Sequence, residues 1–314
     1  MKAAILAAGL GTRLRPLTDL RAKTLIPVLN RPLLGLLLAR VEEAGFLQVA
    51  VNTHHLAEQV QGFLARRPWS FNLSLSPEPE LLGTGGGLRQ LGEILRKDTF
   101  LAINGDILTD LDLGAIYRSH EPEAGTTLVL HDCPQFNNVW IDGQGHLAGI
   151  GARPAGAQGP PLAYTGVQVV GPKMLDYLPP AGYYDLVAAW RQALAAGVRI
   201  DILVVSGHFW QDLGTPAAYL AAHRRLLQGE APDLSRYFGP LADPLVGPGS
   251  VIEPDATFGG GVSLGAGVRI GAGARLRHTV VWDGAVIDPG VELEECIVAA
   301  GVRVSRTAKG EVLV

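Results

Sequence analysis

Cysteine is scarce in this chain, which has two cysteines, Cys133 and Cys296, among its 314 residues. Two cysteines so far apart form neither a disulfide framework nor a metal-binding motif, and they fit a reducing compartment. We therefore expect a cytoplasmic protein.

A strong charge of one sign and a long apolar run are also absent. The formal net charge is −4 at pH 7, which offers no general attraction for polyanions, so we expect no nucleic-acid partner. The most apolar stretch, LLGLLLARVEEAGF, contains three charged residues and predicts an amphipathic helix rather than a membrane span. The apolar N-terminus is interrupted by Gly9, Gly11 and Arg13 before any cleavage-type segment, so we expect neither a signal peptide nor a membrane partner.

Apolar residues and glycine are plentiful instead. Hydrophobic residues make up 47% of the chain and charged residues 18%, and there are 40 glycines. This composition indicates a packed core rather than disorder. The length of 314 residues fits two domains better than one.

Short apolar runs alternate with helical patterns up to about Gln228. AAILAA, LQVAVN, FLAING and RIDILVV predict strands, and RPLLGLLLARVEEAG, LAEQVQGFLARR and PAAYLAAHRRLLQ predict helices. The alternation predicts an α/β domain with a mixed, mainly parallel sheet and helices on both faces. Ligands bind such sheets beyond the carboxyl ends of the strands, where Gly9–Arg13 and Asn104–Asp106 are expected to lie.

The last part of the chain has a six-residue period. Ile252, Phe258, Leu264, Ile270 and Leu276 are each six residues apart, and a second apolar column starts at Ala256 with the same spacing. This pattern predicts a parallel β-helix of hexapeptide repeats rather than a flexible tail. It slips near Trp282 and near Glu294, so we expect an irregular or capping last coil.

A proline-rich segment without periodicity, EAPDLSRYFGPLADPLVGP, lies between the two patterns and predicts a linker. The expected domains are therefore residues 1–229, a linker over 230–245, and a β-helix over 246–314.

The loop after the first predicted strand suits phosphate binding, because glycines let backbone N–H groups approach an anion. A dinucleotide fingerprint would need Gly or Ala where Leu14 stands, and a Walker sequence with Gly-Lys-Ser/Thr is missing. Neither of these two phosphate-binding motifs explains the loop.

The segments LAAGLGTRLRPLT and AKTLIPV resemble the signature of sugar-1-phosphate nucleotidylyltransferases, the NDP-sugar pyrophosphorylases. The resemblance covers nearly the whole chain. The chain is similar to the branch of this family with a C-terminal left-handed β-helix, which includes mannose-1-phosphate guanylyltransferases. The first part of the chain also resembles the muramate-1-phosphate uridylyltransferase type. The resemblance implies a Rossmann-like nucleotidyltransferase domain and Mg²⁺-dependent transfer from a nucleoside triphosphate to a sugar 1-phosphate.

The resemblance also implies roles for four charged residues. Arg13 would hold the β- and γ-phosphates of the nucleotide, and Lys23 would contact the reacting phosphates. Asp106 in AINGDI and Asp212 in FWQDLGTP would hold the Mg²⁺ ion, which suits carboxylates because this cation prefers oxygen ligands.

Further positions match the family's binding segments. The nucleotide-binding candidates are Leu6, Ala8, Gly9, Gly11, Thr12, Arg13, Gly83, Thr84, Gly85 and Gly86. Asn104, Arg153 and Gly166 are the candidates for the sugar phosphate. Ala152 replaces a family glutamate that holds sugar hydroxyls, which leaves the sugar open, and Ala22 replaces a family proline before Lys23.

Other interpretations stay open at this point. The missing glutamate keeps a non-catalytic regulatory or assembly relative possible, although all four charged residues are present. If the β-helix had acyltransferase activity, His278 would be its candidate catalytic histidine. The repeat region looks short for the cofactor groove that this activity needs. His54 and His55 are expected in a loop at the pocket edge, with Asn52 near the sugar. The resemblance favours guanylyl transfer to mannose 1-phosphate, and uridylyl or thymidylyl transfer to another sugar 1-phosphate is the alternative. We also expect a homo-oligomer.

Overall fold

The computed structural model describes residues 1–66 and 68–314. Contacts between residues divide the chain into two compact units, each assembled from several stretches. The first unit comprises Met1–Leu10, Leu37–Ile107 and Leu111–His208, and the second comprises Gly11–Leu36, Leu108–Asp110 and Phe209–Val314. The division of the sequence at residues 229 and 245 stays a prediction.

Strands and helices alternate over the first 240 residues. The strands are β1 (Lys2–Leu6), β2 (Pro27–Val28), β3 (Arg31–Pro32), β4 (Gln48–Thr53), β5 (Asn72–Pro77), β6 (Phe100–Asn104), β7 (Ile107–Thr109), β8 (Thr126–His131), β9 (Val139–Ile141), β10 (Leu147–Ile150), β11 (Gln158–Val170), β12 (Ile200–Val204) and β13 (Trp210–Asp212). The α-helices are α1 (Leu17–Leu20), α2 (Leu33–Glu43), α3 (Ala57–Leu64), α4 (Gly83–Ile94), α5 (Leu113–Arg118), α6 (Pro172–Leu175), α7 (Leu186–Ala195), α8 (Pro216–Leu227) and α9 (Pro232–Ser235). Two 3₁₀ turns cover Thr12–Leu14 and Lys23–Leu25.

A nine-stranded mixed sheet organises the first unit. Seven strands follow the order β10-β9-β11-β6-β1-β4-β5, and β8 pairs with both β11 and β12. Strand β1 is parallel to β4 and β6, whereas the long strand β11 is antiparallel to β6, β8 and β9. The four runs predicted as strands form β1, β4, β6 and β12, which confirms the α/β class and the mixed sheet.

The central strands bring two loops of the first unit together. Strands β1 and β6 are rich in small and branched apolar residues, and their middle residues are buried on both faces. Leu6, at the end of β1, pairs with Asn104, at the end of β6. The segments after these strands therefore leave the sheet side by side.

The three helices predicted from periodicity are α2, α3 and α8. The prediction for LAEQVQGFLARR includes Arg67, which lies outside the described residues. Within residues 1–66 and 68–314, none of the helices combines the length and the apolar character that crossing a membrane requires.

The second unit has its own core, which joins distant parts of the chain. One buried cluster contains apolar side chains of the N-terminal stretch, of β13 and α8, and of the C-terminal strands: Leu14, Leu17, Ile26, Val28, Leu29, Leu33, Leu213, Tyr219, Leu226, Val280, Trp282 and Ile297. The predicted linker contributes Leu234, which lies on the single turn of α9 and is 2% exposed. This segment is thus packed along part of its length.

Thirteen short strands wind into a parallel β-helix within the second unit. They are β14 (Leu245–Val246), β15 (Val251–Ile252), β16 (Thr257–Phe258), β17 (Ser263–Leu264), β18 (Arg269–Ile270), β19 (Arg275–Arg277), β20 (Val280–Val281), β21 (Val286–Ile287), β22 (Glu292–Glu294), β23 (Ile297–Val298), β24 (Arg303–Val304), β25 (Ala308–Lys309) and β26 (Val312–Leu313). They form three parallel sheets, β14-β17-β20-β23-β26, β15-β18-β21-β24 and β16-β19-β22-β25. This architecture confirms the left-handed β-helix of hexapeptide repeats.

The slips in the six-residue period mark shortened corners. Ser263 pairs with Leu245, 18 residues earlier, whereas it pairs with Val280 only 17 residues later. The full-length corner before Ser263 contains two left-handed residues, Gly260 and Gly261, whereas the shortened corner before Val280 contains one, His278. The coil loses one residue at this corner and keeps its strands in register, so the β-helix continues past the slip near Trp282.

Candidate active site

The loop after β1 begins with residues held by the first unit. The Ala7 N–H donates a hydrogen bond to Oδ1 of Asn52 over 2.6 Å. A Cβ atom added at Gly9 would meet nothing within 4 Å, so the space beside this backbone is open. The predicted residues Leu6, Ala8 and Gly9 therefore lie at the carboxyl end of β1, where a ligand has room to approach the backbone.

Gly11 continues the loop in the second unit, in a conformation that requires glycine. Its φ angle is +64°, and an added Cβ would lie 2.6 Å from Cγ2 of Thr18. The Thr18 hydroxyl donates a hydrogen bond to the Gly11 carbonyl over 2.8 Å. These contacts shape the 3₁₀ turn that carries Thr12 and Arg13.

Arg13 and Asp212 lie together, although they are far apart in sequence. Nη2 of Arg13 is 3.7 Å from Oδ2 of Asp212, at the end of β13. The Arg13 side chain is 61% exposed and that of Asp212 is 17% exposed. A Cβ added at Gly214 would lie 2.7 Å from Arg13 Nη2 and 2.9 Å from Asp212 Oδ1, so a side chain at this position would displace the two charged groups. The exposed guanidinium retains N–H groups that can bind phosphate oxygens.

Lys23 starts the second 3₁₀ turn and lies beside the glycine loop. Its Cβ is 3.3 Å from the position that a Cβ on Gly11 would occupy. Ala22, the residue that replaces the family proline, has a φ angle of −52°, within the range that proline imposes. The backbone before Lys23 thus takes the proline-like conformation without a proline.

The glycine-rich segment predicted to contact the base forms the start of helix α4. The Gly85 N–H donates to the Tyr184 carbonyl over 2.9 Å. A Cβ on Gly83 would lie 2.7 Å from that same carbonyl, and one on Gly86 would lie 2.7 Å from the Gly182 carbonyl. The Thr84 hydroxyl accepts a hydrogen bond from the Leu186 N–H over 3.3 Å. These glycines therefore allow close packing against the segment before α7.

Three predicted residues meet where β6 ends. Asn104 is the last residue of β6, and Asp106 is in the turn that follows it. Gly166 has a φ angle of +82° where the register of β11 shifts, and its added Cβ would lie 3.2 Å from Asn104 Nδ2 and 2.8 Å from Ile107. The first unit thus places Asn104 and Gly166 in contact, next to the Asp106 turn.

Arg153 makes contacts with neighbouring residues of its own loop. Its guanidinium donates to the carbonyls of Ala157 and Gly159 over 3.0 and 3.3 Å. It also lies 4.8 Å from the ring centre of Trp140. In this structure Arg153 closes its loop with two of the five N–H groups of its guanidinium.

Asn52, expected near the sugar, forms a buried polar pair with Glu78, a residue that no sequence motif marks. Asn52 is 2% exposed and Glu78 is 4% exposed. Nδ2 of Asn52 donates to Oε1 of Glu78 over 2.7 Å, and the Leu82 N–H donates to Oε2 over 3.1 Å. Since Asn52 also accepts from Ala7, the pair connects the end of β1 with the residue before α4. His54 belongs to the same region, with its ring Nδ1 2.8 Å from the Glu78 carbonyl oxygen.

The predicted site residues include carboxylates and basic side chains that can bind phosphate. In the two described ranges, no three His, Cys, Asp or Glu side chains are grouped to hold a metal ion. Asp106 of the first unit and Asp212 of the second unit each offer a carboxylate. A carboxylate is the kind of oxygen ligand that a cation such as Mg²⁺ takes, with phosphate oxygens and water in its other positions.

A mixed α/β sheet with a glycine loop, followed by hexapeptide coils, defines a nucleotidyltransferase with a β-helix. The family model described as nucleotidyl transferase matches residues 2–229, and the bacterial transferase hexapeptide model matches residues 243–278. The chain belongs to the nucleotidyl transferase family. The hexapeptide match ends at His278, where the first shortened corner begins.

Curated relatives in this family include transferases of several nucleotides. The N-acetylmuramate alpha-1-phosphate uridylyltransferase of Neisseria meningitidis serogroup B is 35% identical over 68% of this chain and 94% of its own length. The mannose-1-phosphate guanylyltransferase of Mycobacterium tuberculosis is 29% identical over 96% of this chain and 80% of its own. The UTP–glucose-1-phosphate uridylyltransferase of Synechocystis is 31% identical over 73% of this chain, and this chain covers 64% of that relative.

A solved structure shows the same fold. The crystal structure of HddC from Yersinia pseudotuberculosis complexed with GMP-PN superposes with a TM-score of 0.58 at 20% identity. The match covers 70% of this chain and 97% of that chain.

Proposed function

We propose that this chain transfers a nucleotidyl group from a nucleoside triphosphate to a sugar 1-phosphate and releases pyrophosphate. The observation that carries the proposal is the convergence of Arg13 and Asp212, with 3.7 Å between their nearest charged atoms. The reaction joins two polyanions, so it needs a cation on phosphate and a carboxylate that can hold a metal. Arg13 in LAAGLGTRLRPLT supplies the cation, and Asp212 in FWQDLGTP supplies the carboxylate.

The chemistry assigns each charged residue a step. An oxygen of the sugar phosphate attacks the α-phosphorus in line, and the bond from that phosphorus to the bridging oxygen of the leaving pyrophosphate breaks. Arg13 is proposed to bind the β- and γ-phosphates and thereby stabilise the leaving group. Lys23 is proposed to bind the reacting phosphates and bring them together.

Asp106 and Asp212 are proposed to hold Mg²⁺, because carboxylate oxygens are ligands that this cation prefers. When bound, the ion supplies positive charge that neutralises the phosphates. The backbone at Leu6, Ala8, Gly9, Gly11 and Thr12 is proposed to bind the triphosphate, and Gly83–Gly86 the base. Asn104, Gly166 and Arg153 are proposed to bind the sugar phosphate.

Guanylyl transfer to mannose 1-phosphate is the specificity that we propose first. The support is the Mycobacterium tuberculosis relative, which aligns with 96% of this chain, hexapeptide repeats included. Uridylyl transfer is the second candidate, because the Neisseria relative reaches 35% identity and Gly85–Gly87 suits that type of transferase. Thymidylyl transfer is tested alongside them.

We also propose a cytoplasmic homo-oligomer. Cys133 and Cys296 are free thiols, which fits a reducing compartment. Light scattering after size-exclusion chromatography measures the number of subunits, and a monomer at working concentration would contradict the proposed oligomer.

Pyrophosphate release tests the proposed activity. The purified full chain is mixed with Mg²⁺, one of five nucleoside triphosphates, and mannose, glucose or N-acetylmuramic acid 1-phosphate. We expect release with GTP and mannose 1-phosphate, and mass spectrometry of the NDP-sugar identifies the product. If pyrophosphate is released only with UTP or only with dTTP, the enzyme transfers a uridylyl or thymidylyl group instead. If no pair of substrates releases pyrophosphate, the transferase proposal is rejected.

A further inference from the structure

The N-terminal signature segment packs on the β-helix within the second unit. We call residues Gly11–Leu36, which include Arg13 and Lys23, the signature segment; they cluster by contacts with Phe209–Val314. Its apolar residues Leu14, Ile26 and Leu29 share a buried cluster with Trp282 and Ile297 of the β-helix. The β-helix therefore supports the segment that carries the proposed phosphate-binding cations.

A buried hydrogen-bonded chain connects the β-helix with the signature segment. The indole N–H of Trp282 donates to the hydroxyl of Tyr219 over 3.0 Å, and that hydroxyl donates to the Pro27 carbonyl. Tyr219 and Trp282 are 0% and 2% exposed. Nε2 of His223, from the same helix α8, lies 3.2 Å from the Pro27 carbonyl oxygen. Breaking one link of such a chain leaves a buried polar group unpaired.

Trp282 contacts the signature segment on the other side of Lys23 as well. The guanidinium of Arg21 lies 4.8 Å from the centre of the Trp282 ring. Arg21 precedes Lys23 by two residues and Pro27 follows it by four. Trp282 thus contacts Arg21 before the Lys23 turn directly, and it is connected with Pro27 after that turn through Tyr219.

A third contact holds the hairpin that follows. Nδ2 of Asn30, at the tip between β2 and β3, donates to the Leu264 carbonyl of the β-helix over 2.7 Å. Asn30 has a φ angle of +66°, which a tight hairpin turn requires. The backbone from Arg21 to Asn30 is therefore fixed by the β-helix at three points.

We propose that Trp282 is a positioning residue for Lys23: through Tyr219 and Arg21 it fixes the backbone that aims this lysine at the reacting phosphates. The inference rests on the proposed function for the role of Lys23. It goes beyond that function because it assigns the β-helix a part in the transfer reaction. Displacement of a catalytic group by about 1 Å lowers reaction rates about 10²-fold, so a support of this kind controls turnover.

Two substitutions at Trp282 separate its contacts. Trp282→Phe keeps an aromatic ring under Arg21 and removes the N–H that Tyr219 accepts. Trp282→Leu removes both contacts. Ile287→Val is the matched control, because Ile287 is 1% exposed in the β-helix interior and belongs to a cluster without signature-segment residues.

The experiment measures kcat and KM for both substrates, the melting temperature, and hydrogen exchange of a peptide covering residues 21–28. We expect kcat to fall about tenfold in Trp282→Phe and about 10²-fold in Trp282→Leu, with KM changed less than kcat. Exchange of residues 21–28 accelerates in both variants. Ile287→Val lowers the melting temperature and leaves kcat and this exchange unchanged.

The outcomes distinguish the inference from the proposed function. Wild-type kcat and wild-type exchange in both Trp282 variants overturn the positioning role. An equal loss of kcat in Ile287→Val also overturns it, because general destabilisation then explains the effect. If the wild-type chain releases no pyrophosphate, the proposed function fails, and unchanged exchange at residues 21–28 separately rejects the link to the β-helix.

Discussion

Oε1 of Glu78 accepts a hydrogen bond from Nδ2 of Asn52 over 2.7 Å, and both side chains are buried. The other oxygen accepts from the Leu82 N–H, and no basic side chain takes part in these hydrogen bonds. Glu78→Gln turns one acceptor into a donor that faces another donor. We expect a loss of about 1–3 kcal/mol in the free energy of unfolding, measured by urea denaturation.

Glu80→Gln is the control for that change, since Glu80 is exposed two residues further along the chain. It removes the same charge and is expected to leave stability within about 0.5 kcal/mol of wild type. Equal stability of both variants would show that the buried carboxylate does not connect the end of β1 with α4.

The carboxylates of Asp106 and Asp212 are expected to be indispensable for turnover. Asp106→Asn and Asp212→Asn keep the size of the side chain and remove its charge, so metal binding weakens while the fold persists. We expect a decrease in kcat of at least about 10²–10³-fold, measured by pyrophosphate release across a Mg²⁺ titration. Activity like that of wild type in either variant removes that residue from the metal site.

Gly9 and Gly11 are expected to respond differently to alanine. Gly9→Ala adds a methyl group to open space, so the melting temperature stays within a degree or two, on the order of 0.5 kcal/mol. If the triphosphate approaches this backbone closely, the same methyl group raises the KM for the nucleotide. Unchanged KM and stability would place the triphosphate elsewhere.

Gly11→Ala is expected to lower stability directly. Its φ angle of +64° and the 2.6 Å approach to Thr18 both oppose a side chain. A loss of about 1–3 kcal/mol is expected from calorimetry or denaturant unfolding. A fully stable variant would mean that the loop adopts another conformation.

Acid is expected to destabilise the fold through His223. Burial lowers the pKa of His223 from 6.5 to about 4, so the folded protein keeps this ring neutral. Between these pH values the unfolded chain binds more protons than the folded chain, so stability is greatest above pH 6.5 and falls toward pH 4. The contribution amounts to about 2–3 kcal/mol over this range.

His223→Gln offers Pro27 a neutral donor at every pH and is expected to flatten the decline, as seen in melting temperatures at pH 7.5 and 5. Part of the decline remains, because burial also lowers the pKa of His131 to about 4. If the melting temperature falls with pH as steeply in the variant as in wild type, His223 binds its proton equally well in the folded and the unfolded chain.

Local patterns in the sequence predicted much of the fold. The six-residue column from Ile252 to Leu276 predicted the β-helix, because each inward residue repeats at a fixed interval. The signature around Arg13 and Lys23 pointed to the family. The six-residue period slips near Trp282 because the corner at His278 is one residue shorter, which shifts the period without disturbing the strands.

Long-range packing was not accessible from the sequence. Tyr219 and Trp282 are ordinary residues of an amphipathic helix and a strand region. Nothing local shows that the Trp282 N–H donates to the Tyr219 hydroxyl, or that this hydroxyl donates to the Pro27 carbonyl. Asn52 and Glu78 are likewise single polar residues at ordinary positions. The partners of these residues depend on how the helices and strands are arranged in three dimensions, and sequence periodicity does not predict that arrangement.

The shared cluster of Leu14 and Ile297 has a consequence for biosynthesis. During translation the signature segment is made first, and its apolar face is covered completely only after the late coils have left the ribosome. A product truncated before the β-helix keeps Tyr219 and Leu226 of α8 in this cluster but lacks Trp282 and Ile297. Interrupted synthesis therefore yields a fragment whose N-terminal apolar cluster is only partly covered, and exposed apolar surface of this kind promotes aggregation.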